Sequence, residues 1–209
     1  MIHILIADDH AVVRRGLKQI IMEEYPSAVV GEVGDAESLV AELVKTSWDI
    51  VICDINMPGR SGLEALKQIK EINPLIPVLM MSMYSEEQYA VRVLKGGASG
   101  YLTKDNVHDE LIKAIQAIKL GRKYITPSIA EKLADSLNIT NNKPIHELLS
   151  NREFDVFKML ASGKAVTEIA SRLSLSTTTV STYRSRILEK LNVKTNADLT
   201  RYALENNLI

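Results

Sequence analysis

Cysteine is almost missing: Cys53 is the one thiol in 209 residues. A lone thiol closes no internal disulfide, and no Cys/His cluster has the spacing of a zinc site. Cys53 reads instead as a small core residue on a strand. Long apolar runs are also lacking. The first hydrophobic stretch is only a strand in length before it meets two aspartates, which excludes a signal peptide or a membrane span. A cytoplasmic protein with no membrane partner is expected. There is no strong excess of either charge, the net value being −1. From Ile145 onward 9 Lys/Arg stand against 7 Asp/Glu, while the rest of the chain carries 16 against 19. That mild asymmetry permits nucleic-acid binding by the C-terminal part without itself arguing for it. Internal repeats and low-complexity segments are absent.

What is present is ordinary in bulk, with 46% hydrophobic and 24% charged residues, and informative in arrangement. The length suits one large or two modest domains. Up to about residue 120, strand-like runs (Ile2 to Ala7, Ala28 to Val33, Asp49 to Cys53, Val78 to Met81, Gly100 to Thr103) alternate with helical ones. In the last helical run Leu111, Ile112, Ile115 and Ile118 recur three and four apart. Such alternation predicts an α/β fold with a parallel sheet. Short runs rich in Ile and Val suit interior strands covered on both faces.

Asp8 and Asp9 close the first of these runs and Asp54 closes the third. Ligands of such sheets collect beyond the carboxyl ends of the strands, where the strand order reverses. Three carboxylates gathered there repel one another by several kcal/mol per close pair unless a cation lies between them. A hard divalent ion with oxygen ligands, Mg²⁺ foremost, removes that cost. An N-cap role suits Asp8 or Asp9 singly. It does not account for Asp54, which is followed by the loop Ile55 Asn56 Met57 Pro58 Gly59.

Beyond residue 120 the strands stop. Pro127 to Leu137 reads as a helix with proline in its first turn, and Asn138 to Pro144 as a polar linker. Ser150 Asn151 Arg152 Glu153 is a capping box opening a helix through Val156, Phe157 and Leu160, which Gly163 ends. Val166 to Leu173 forms a short helix, Ser174 Leu175 Ser176 a turn, and Thr177 to Leu191 a longer helix. This is the geometry that lays a recognition helix in the major groove of DNA. Val180, Tyr183, Ile187 and Leu191 share its inward face. Thr178, Ser181, Thr182, Ser185 and Arg186 occupy the opposite one, where base edges and phosphates would lie. A helical subdomain with a merely solvated second helix fits the same spacing. In the final helix, Ala197 to Glu205, the residues Leu199, Tyr202 and Ala203 form either a dimer face or a cover for their own core.

Resemblance goes further. Leu149 Ser150 Asn151 Arg152 Glu153, with Ala161 Ser162 Gly163, Glu168 Ile169 Ala170, Leu175 Ser176, Thr179 Val180 and Ile187 to Leu191, resembles the LuxR-type helix-turn-helix. Asp8, Asp9, Asp54, Ser82 and Lys104, each at a predicted strand end, resemble the response-regulator receiver domain. Together they point to the NarL/FixJ family of two-component transcription regulators. The implied fold is a doubly wound, five-stranded, flavodoxin-like α/β receiver over residues 1–120. A helix and linker over 121–146 and a small all-α DNA-binding domain over 147–209 follow.

The resemblance implies that Asp54 accepts a phosphoryl group from a partner histidine kinase. It implies that Asp9, Asp54 and the main-chain carbonyl of Asn56 hold Mg²⁺, with Asp8 acting through water. Lys104 would pair with a phosphoryl oxygen and Ser82 would donate its hydroxyl to the same group. Tyr101 would swing inward behind Ser82 and carry the change to the surface from Ser85 to Tyr101; plain core filling is its other reading. Two phosphorylated copies would bind double-stranded DNA as a homodimer. Two positions depart from the family pattern. Met83 follows Ser82 where a small residue is usual, which predicts partial screening and slow loss of phosphate. Ser181 and Ala165 replace the usual lysine and serine cap, leaving Arg184, Arg186 and Lys190 to supply charge and a steep salt dependence. The implied protein is no turnover enzyme. A phosphatase working through an aspartyl phosphate commonly has a second carboxylate two residues after the nucleophile, where this chain has Asn56. A regulator that binds only proteins remains the third reading.

Overall fold

The computed structural model describes residues 1–83, 86–138 and 144–209, with backbone alone for 86–88, 132 and 135–138. The chain divides into two compact units, Met1–Lys132 and Leu133–Ile209. In the first, β1 (His3–Ala7), β2 (Val29–Val33), β3 (Ile50–Asp54), β4 (Val78–Ser82) and β5 (Gly100–Thr103) form one sheet in the order β2-β1-β3-β4-β5. All pairings are parallel. Helices α1 (Ala11–Glu24), α2 (Ala36–Lys45), α3 (Gly62–Ile72), α4 (Glu86–Lys95) and α5 (Val107–Lys119) join and follow the strands.

The three central strands are buried nearly throughout, as their unbroken apolar runs require. Ile4, Ile6, Ile50, Ile52, Leu79, Met81 and Leu102 form one core with Leu17 and Ile21 of α1 and Leu111, Ala114, Ile115 and Ile118 of α5. Ile112, placed by the sequence on the same stripe, packs only at its flank. It lies one residue, about 100°, from Leu111, and Ala114 takes the inner position. Alternate strand residues face the other way, where α2 and α3 present the buried Ala36, Leu39, Leu63, Leu66 and Ile69. The chain leaves β1 toward β2 on one side and returns through β3 on the other. The carboxyl ends of β1 and β3 therefore flank the point where the winding reverses.

The first unit runs past residue 120. Tyr124 N donates to Ser99 O at 2.8 Å, Tyr124 bridges Gly100 at the sheet edge, and Ile129 of α6 (Pro127–Asn138) is fully buried. Residues 139–143 of the expected linker fall outside the described residues, as does Ser85 of the expected output surface.

The second unit holds a 3₁₀ turn, Ile145–Leu148, and helices α7 (Asn151–Ala161), α8 (Val166–Arg172), α9 (Thr177–Lys190) and α10 (Asn196–Glu205). The Ser150–Glu153 capping box opens α7, and Gly163, at φ 81°, follows its end. Phe154, Val156, Phe157, Val180, Ile187, Leu199 and Ala203 make the core. Leu199 and Ala203 are fully buried, and Tyr202 lies edge-on to Phe157 and His146 of the same unit. Leu199 and Ala203 therefore cover their own core, and Tyr202 is half-buried beside them. Among the described residues no helix is long and apolar enough to cross a membrane.

Candidate functional site

Strand register brings the acids together. Ala7 of β1 pairs with Cys53 of β3, so the residues that follow, Asp8 and Asp54, emerge side by side. Ile55 N donates to Met81 O at 2.9 Å, and Gly62 N donates to Ile55 O at 2.8 Å, tying the start of α3 to the end of β3. That approach requires glycine. A Cβ at Gly62 would lie 2.0 Å from the carbonyl oxygen of Asp54, well inside van der Waals contact. Ser61 and Glu64 form a capping box at the same helix start, fixing the direction in which the loop returns.

Lys104, in the turn after β5, places Nζ 2.6 Å from Asp8 Oδ2 and 2.8 Å from Asp54 Oδ2. Asp8 is 0% and Asp54 1% exposed, so these charge-assisted bonds form away from solvent. Burial pushes the Asp54 carboxyl above its ordinary range; Lys104 opposes that shift and the Asp8 charge adds to it. Burial alone would lower the Lys104 ammonium, but the two carboxylates outweigh it and hold its pKa above the usual lysine value. Burial, with Asp54 and Asp8 beside it, pushes the Cys53 thiol far up, which matches a core residue rather than a nucleophile.

One lysine does not balance three carboxylates. Asp54 Oδ1 is buried without a hydrogen-bond partner, an orphan that costs roughly 1–3 kcal/mol or more for a charged group. Single donor atoms from Asp8, Asp9, His10 and Asp54 lie within 4.8 Å of one another. This donor set fits a divalent cation, because a cation among these oxygens satisfies the orphan and offsets the repulsion. Asn56 lies in the loop two residues beyond Asp54 and is half-buried.

His10 was not singled out from the sequence, although it directly follows the acidic pair. Its main-chain N–H donates to Asp8 Oδ1 at 2.8 Å, and its Nδ1 lies 2.7 Å from Asp9 Oδ1. Arg14 was missed as well. Its Nη1 donates to the main-chain oxygen of Asp8 at 2.7 Å, and its Nε lies 3.6 Å from Glu32 of β2. Nothing in a one-residue pattern marks Arg14; only the fold brings α1 under that carbonyl.

Ser82 at the end of β4 and Tyr101 in β5 are both fully buried, so the Tyr101 ring is shielded from solvent in this structure. Met83, beside Ser82, is 63% exposed and stands at the surface.

In the second unit α8, the turn at Ser174 (φ 53°) and α9 form the helix-turn-helix. Leu175 N donates to Ala170 O at 2.8 Å to close the turn, and Ser176 Oγ accepts from Thr179 N at 3.0 Å to cap α9. Ala165 caps α8 with no side-chain bond. Thr178, Ser181, Thr182, Ser185 and Arg186 all lie exposed along α9. The Thr182 and Ser185 hydroxyls donate to the carbonyls of Thr178 and Ser181, leaving oxygen lone pairs toward solvent. The two other basic residues of α9 each have a partner within the unit. Lys190 pairs with Glu153 at 2.6 Å, and Arg184 Nε donates to Asn196 Oδ1 at 2.7 Å.

Comparison with known proteins gives the same two parts. Residues 4–116 match the response regulator receiver domain, and residues 147–203 match the bacterial regulatory proteins of the luxR family. The chain is 34% identical over 209 residues to the response regulator UvrY of Escherichia coli K12, covering 100% of this chain and 96% of that protein. It is 34% identical over 211 residues to the response regulator GacA of Pseudomonas viridiflava, covering 100% of this chain and 98% of that one. Among solved structures, RcsB of Salmonella enterica serovar Typhimurium, bound to promoter rprA with the phosphomimetic BeF3⁻, superposes with a TM-score of 0.66. Identity there is 28%, with 97% of this chain and 98% of that chain covered.

Proposed function

The chain belongs to the NarL/FixJ family of two-component response regulators, and we propose that phosphorylation of Asp54 by a partner histidine kinase controls how its LuxR-type domain engages DNA. The observation that supports this most is the buried, unpartnered Oδ1 of Asp54 beside Asp8 and Asp9, with Lys104 on the opposite oxygen. An Asp54 oxygen attacks phosphorus, the N–P bond of the kinase phosphohistidine breaks, and the freed imidazole keeps the electron pair and takes a proton. Asp9, Asp54 and the Asn56 carbonyl would hold Mg²⁺, with Asp8 acting through water. When bound, the ion supplies the positive charge that lets a carboxylate accept a dianionic group. Lys104 transfers its bond from Asp54 Oδ2 to a phosphoryl oxygen. Ser82 donates its hydroxyl to the same group, and Tyr101 fills the space that Ser82 vacates.

Asn56, at the position where a phosphatase of this chemistry carries its general base, cannot activate water, so the acyl phosphate persists as a signal. The receiver over residues 1–120 then releases or pairs the domain over 147–209. Two copies occupy half-sites about one helical turn apart. Thr178, Ser181, Thr182, Ser185 and Arg186 meet bases and phosphates, while Arg184 and Lys190 brace the fold beside them. The kinase and the DNA place this work in the cytoplasm.

The test is acetyl phosphate with Mg²⁺, followed by intact mass and by selection from a random DNA pool. One phosphoryl group on the wild type, none on Asp54→Asn, and enrichment of a DNA sequence are expected. Equal labelling of Asp54→Asn overturns the site, and no enrichment with or without phosphate favours a regulator that binds only proteins.

A further inference from the structure

Lys104 takes the Oδ2 atoms of both Asp8 and Asp54, which leaves Asp8 Oδ1, Asp9 and Asp54 Oδ1 as the carboxylate oxygens that it does not occupy. Beside them stands a nitrogen. His10 Nδ1 lies 2.7 Å from Asp9 Oδ1 and 3.3 Å from Asp8 Oδ1, and its ring shares the cluster whose donors lie within 4.8 Å of one another. His10 occupies the N-cap position of α1, yet its side chain makes no capping bond and turns to the carboxylates instead. Its backbone is held there by the bond from its own N–H to Asp8 Oδ1. At 66% exposure the ring sits at the mouth, reachable by an ion from solvent. The buried Asp54 Oδ1, without a partner, independently marks the interior side of the same space.

Mg²⁺ keeps oxygen ligands and water and gains little from imidazole, whereas Co²⁺, Ni²⁺ and Zn²⁺ accept a ring nitrogen readily. We propose that His10 Nδ1 makes this a mixed oxygen–nitrogen site that binds such transition-metal ions through one more protein ligand than it offers Mg²⁺. The inference rests on the reading of Asp8, Asp9 and Asp54 as a divalent-cation site. Its consequence is selectivity: the ion held by the metal-loaded receiver depends on which divalent metals are free, with His10 biasing the site toward the imidazole-accepting ones. A surface ion pair between His10 and Asp9, with no ligand role, would leave every metal affected alike.

The experiment measures equilibrium binding of Mg²⁺, Co²⁺ and Ni²⁺ to the full chain and to His10→Ala by calorimetric titration, with the visible absorption of bound Co²⁺ as a second readout. Loss of about tenfold or more in Co²⁺ and Ni²⁺ affinity is expected, with Mg²⁺ affinity kept within about twofold and the Co²⁺ spectrum altered. Unchanged Co²⁺ and Ni²⁺ affinity in His10→Ala overturns the ligand role while leaving the Mg²⁺ site intact. An equal fall for all three ions also overturns it, since His10 would then only hold Asp8 and Asp9 in place. Failure of the wild type to bind Mg²⁺ at all overturns the underlying site and this inference together.

Discussion

Gly62 and Gly16 differ in what surrounds them, and that difference sets opposite outcomes for the same substitution. A methyl at Gly62 meets the backbone of Asp54, which cannot swing aside as a side chain can. Gly62→Ala should cost about 1–3 kcal/mol in denaturant unfolding and slow phosphoryl uptake, because the end of β3 must shift. Gly16 lies within α1 with nothing within 4 Å of its added Cβ. Gly16→Ala should therefore be neutral or stabilising by about 0.5–1 kcal/mol. Lys158 of α7 is buried, and desolvation, partly opposed by Asp155, lowers its pKa to about 7. Its unfolded value is near the ordinary ~10.4. Between those values the unfolded chain binds the proton and the folded one does not, so stability rises with pH from about 7 to about 10. That contribution is lost as pH falls back toward 7. The stability of the wild type relative to Lys158→Met should rise across this window by at least about 1 kcal/mol. A pH-independent difference would show that Lys158 stays charged.

At the scale of elements, helix starts decide much of the second unit. Ser150 and Thr195 cap α7 and α10 with reciprocal boxes and Ser176 caps α9, but α8 begins at Ala165 with no side-chain acceptor. Ala165→Ser should raise stability by about 1 kcal/mol, read from the urea midpoint. Helix α9 carries three basic residues with different duties. Arg186 is exposed, whereas Lys190 is engaged with Glu153 and Arg184 with Asn196. Arg186→Ala should reduce the slope of log affinity against log salt by about 1. Lys190→Ala should leave that slope unchanged and instead lower stability, because Glu153 of the α7 capping box loses its cation. A change of slope in Lys190→Ala would return Lys190 to the DNA contacts.

At the scale of the whole molecule, phosphorylation turns the singly charged Asp54 carboxylate into an acyl phosphate of about two charges, beside the carboxylates of Asp8 and Asp9, and its effect must be read in the full chain. Acetyl phosphate with Mg²⁺ should shift the wild type toward a dimer in sedimentation, and Asp54→Asn should stay unshifted; equal behaviour of the two would separate assembly from phosphorylation. The two-part organisation was legible beforehand, because continuous Ile/Val runs and the shift to helical spacing after residue 120 report which surfaces must be covered. The grouping of Asp8, Asp9 and Asp54 was legible for a related reason, because parallel strands deliver their ends to one rim, whereas Ser82 and Lys104 entered through the resemblance to receiver domains. His10 and Arg14 were not legible, since a polar residue at a helix start has many uses and its partner is set by what lies opposite. The same holds for Leu199 and Ala203, whose spacing fits a core or a dimer face equally well until Phe157 and His146 are placed beside Tyr202. The sequence alone thus determined the periodicities, and with them the elements, the order of strands and helices, and the acidic rim. Tertiary structure decided which oxygen of each carboxylate Lys104 occupies, which is left for a cation, and which basic side chains of α9 remain free of partners in the fold. Periodicity follows from burial one residue at a time, whereas pairing depends on distances between segments that only the packed chain fixes.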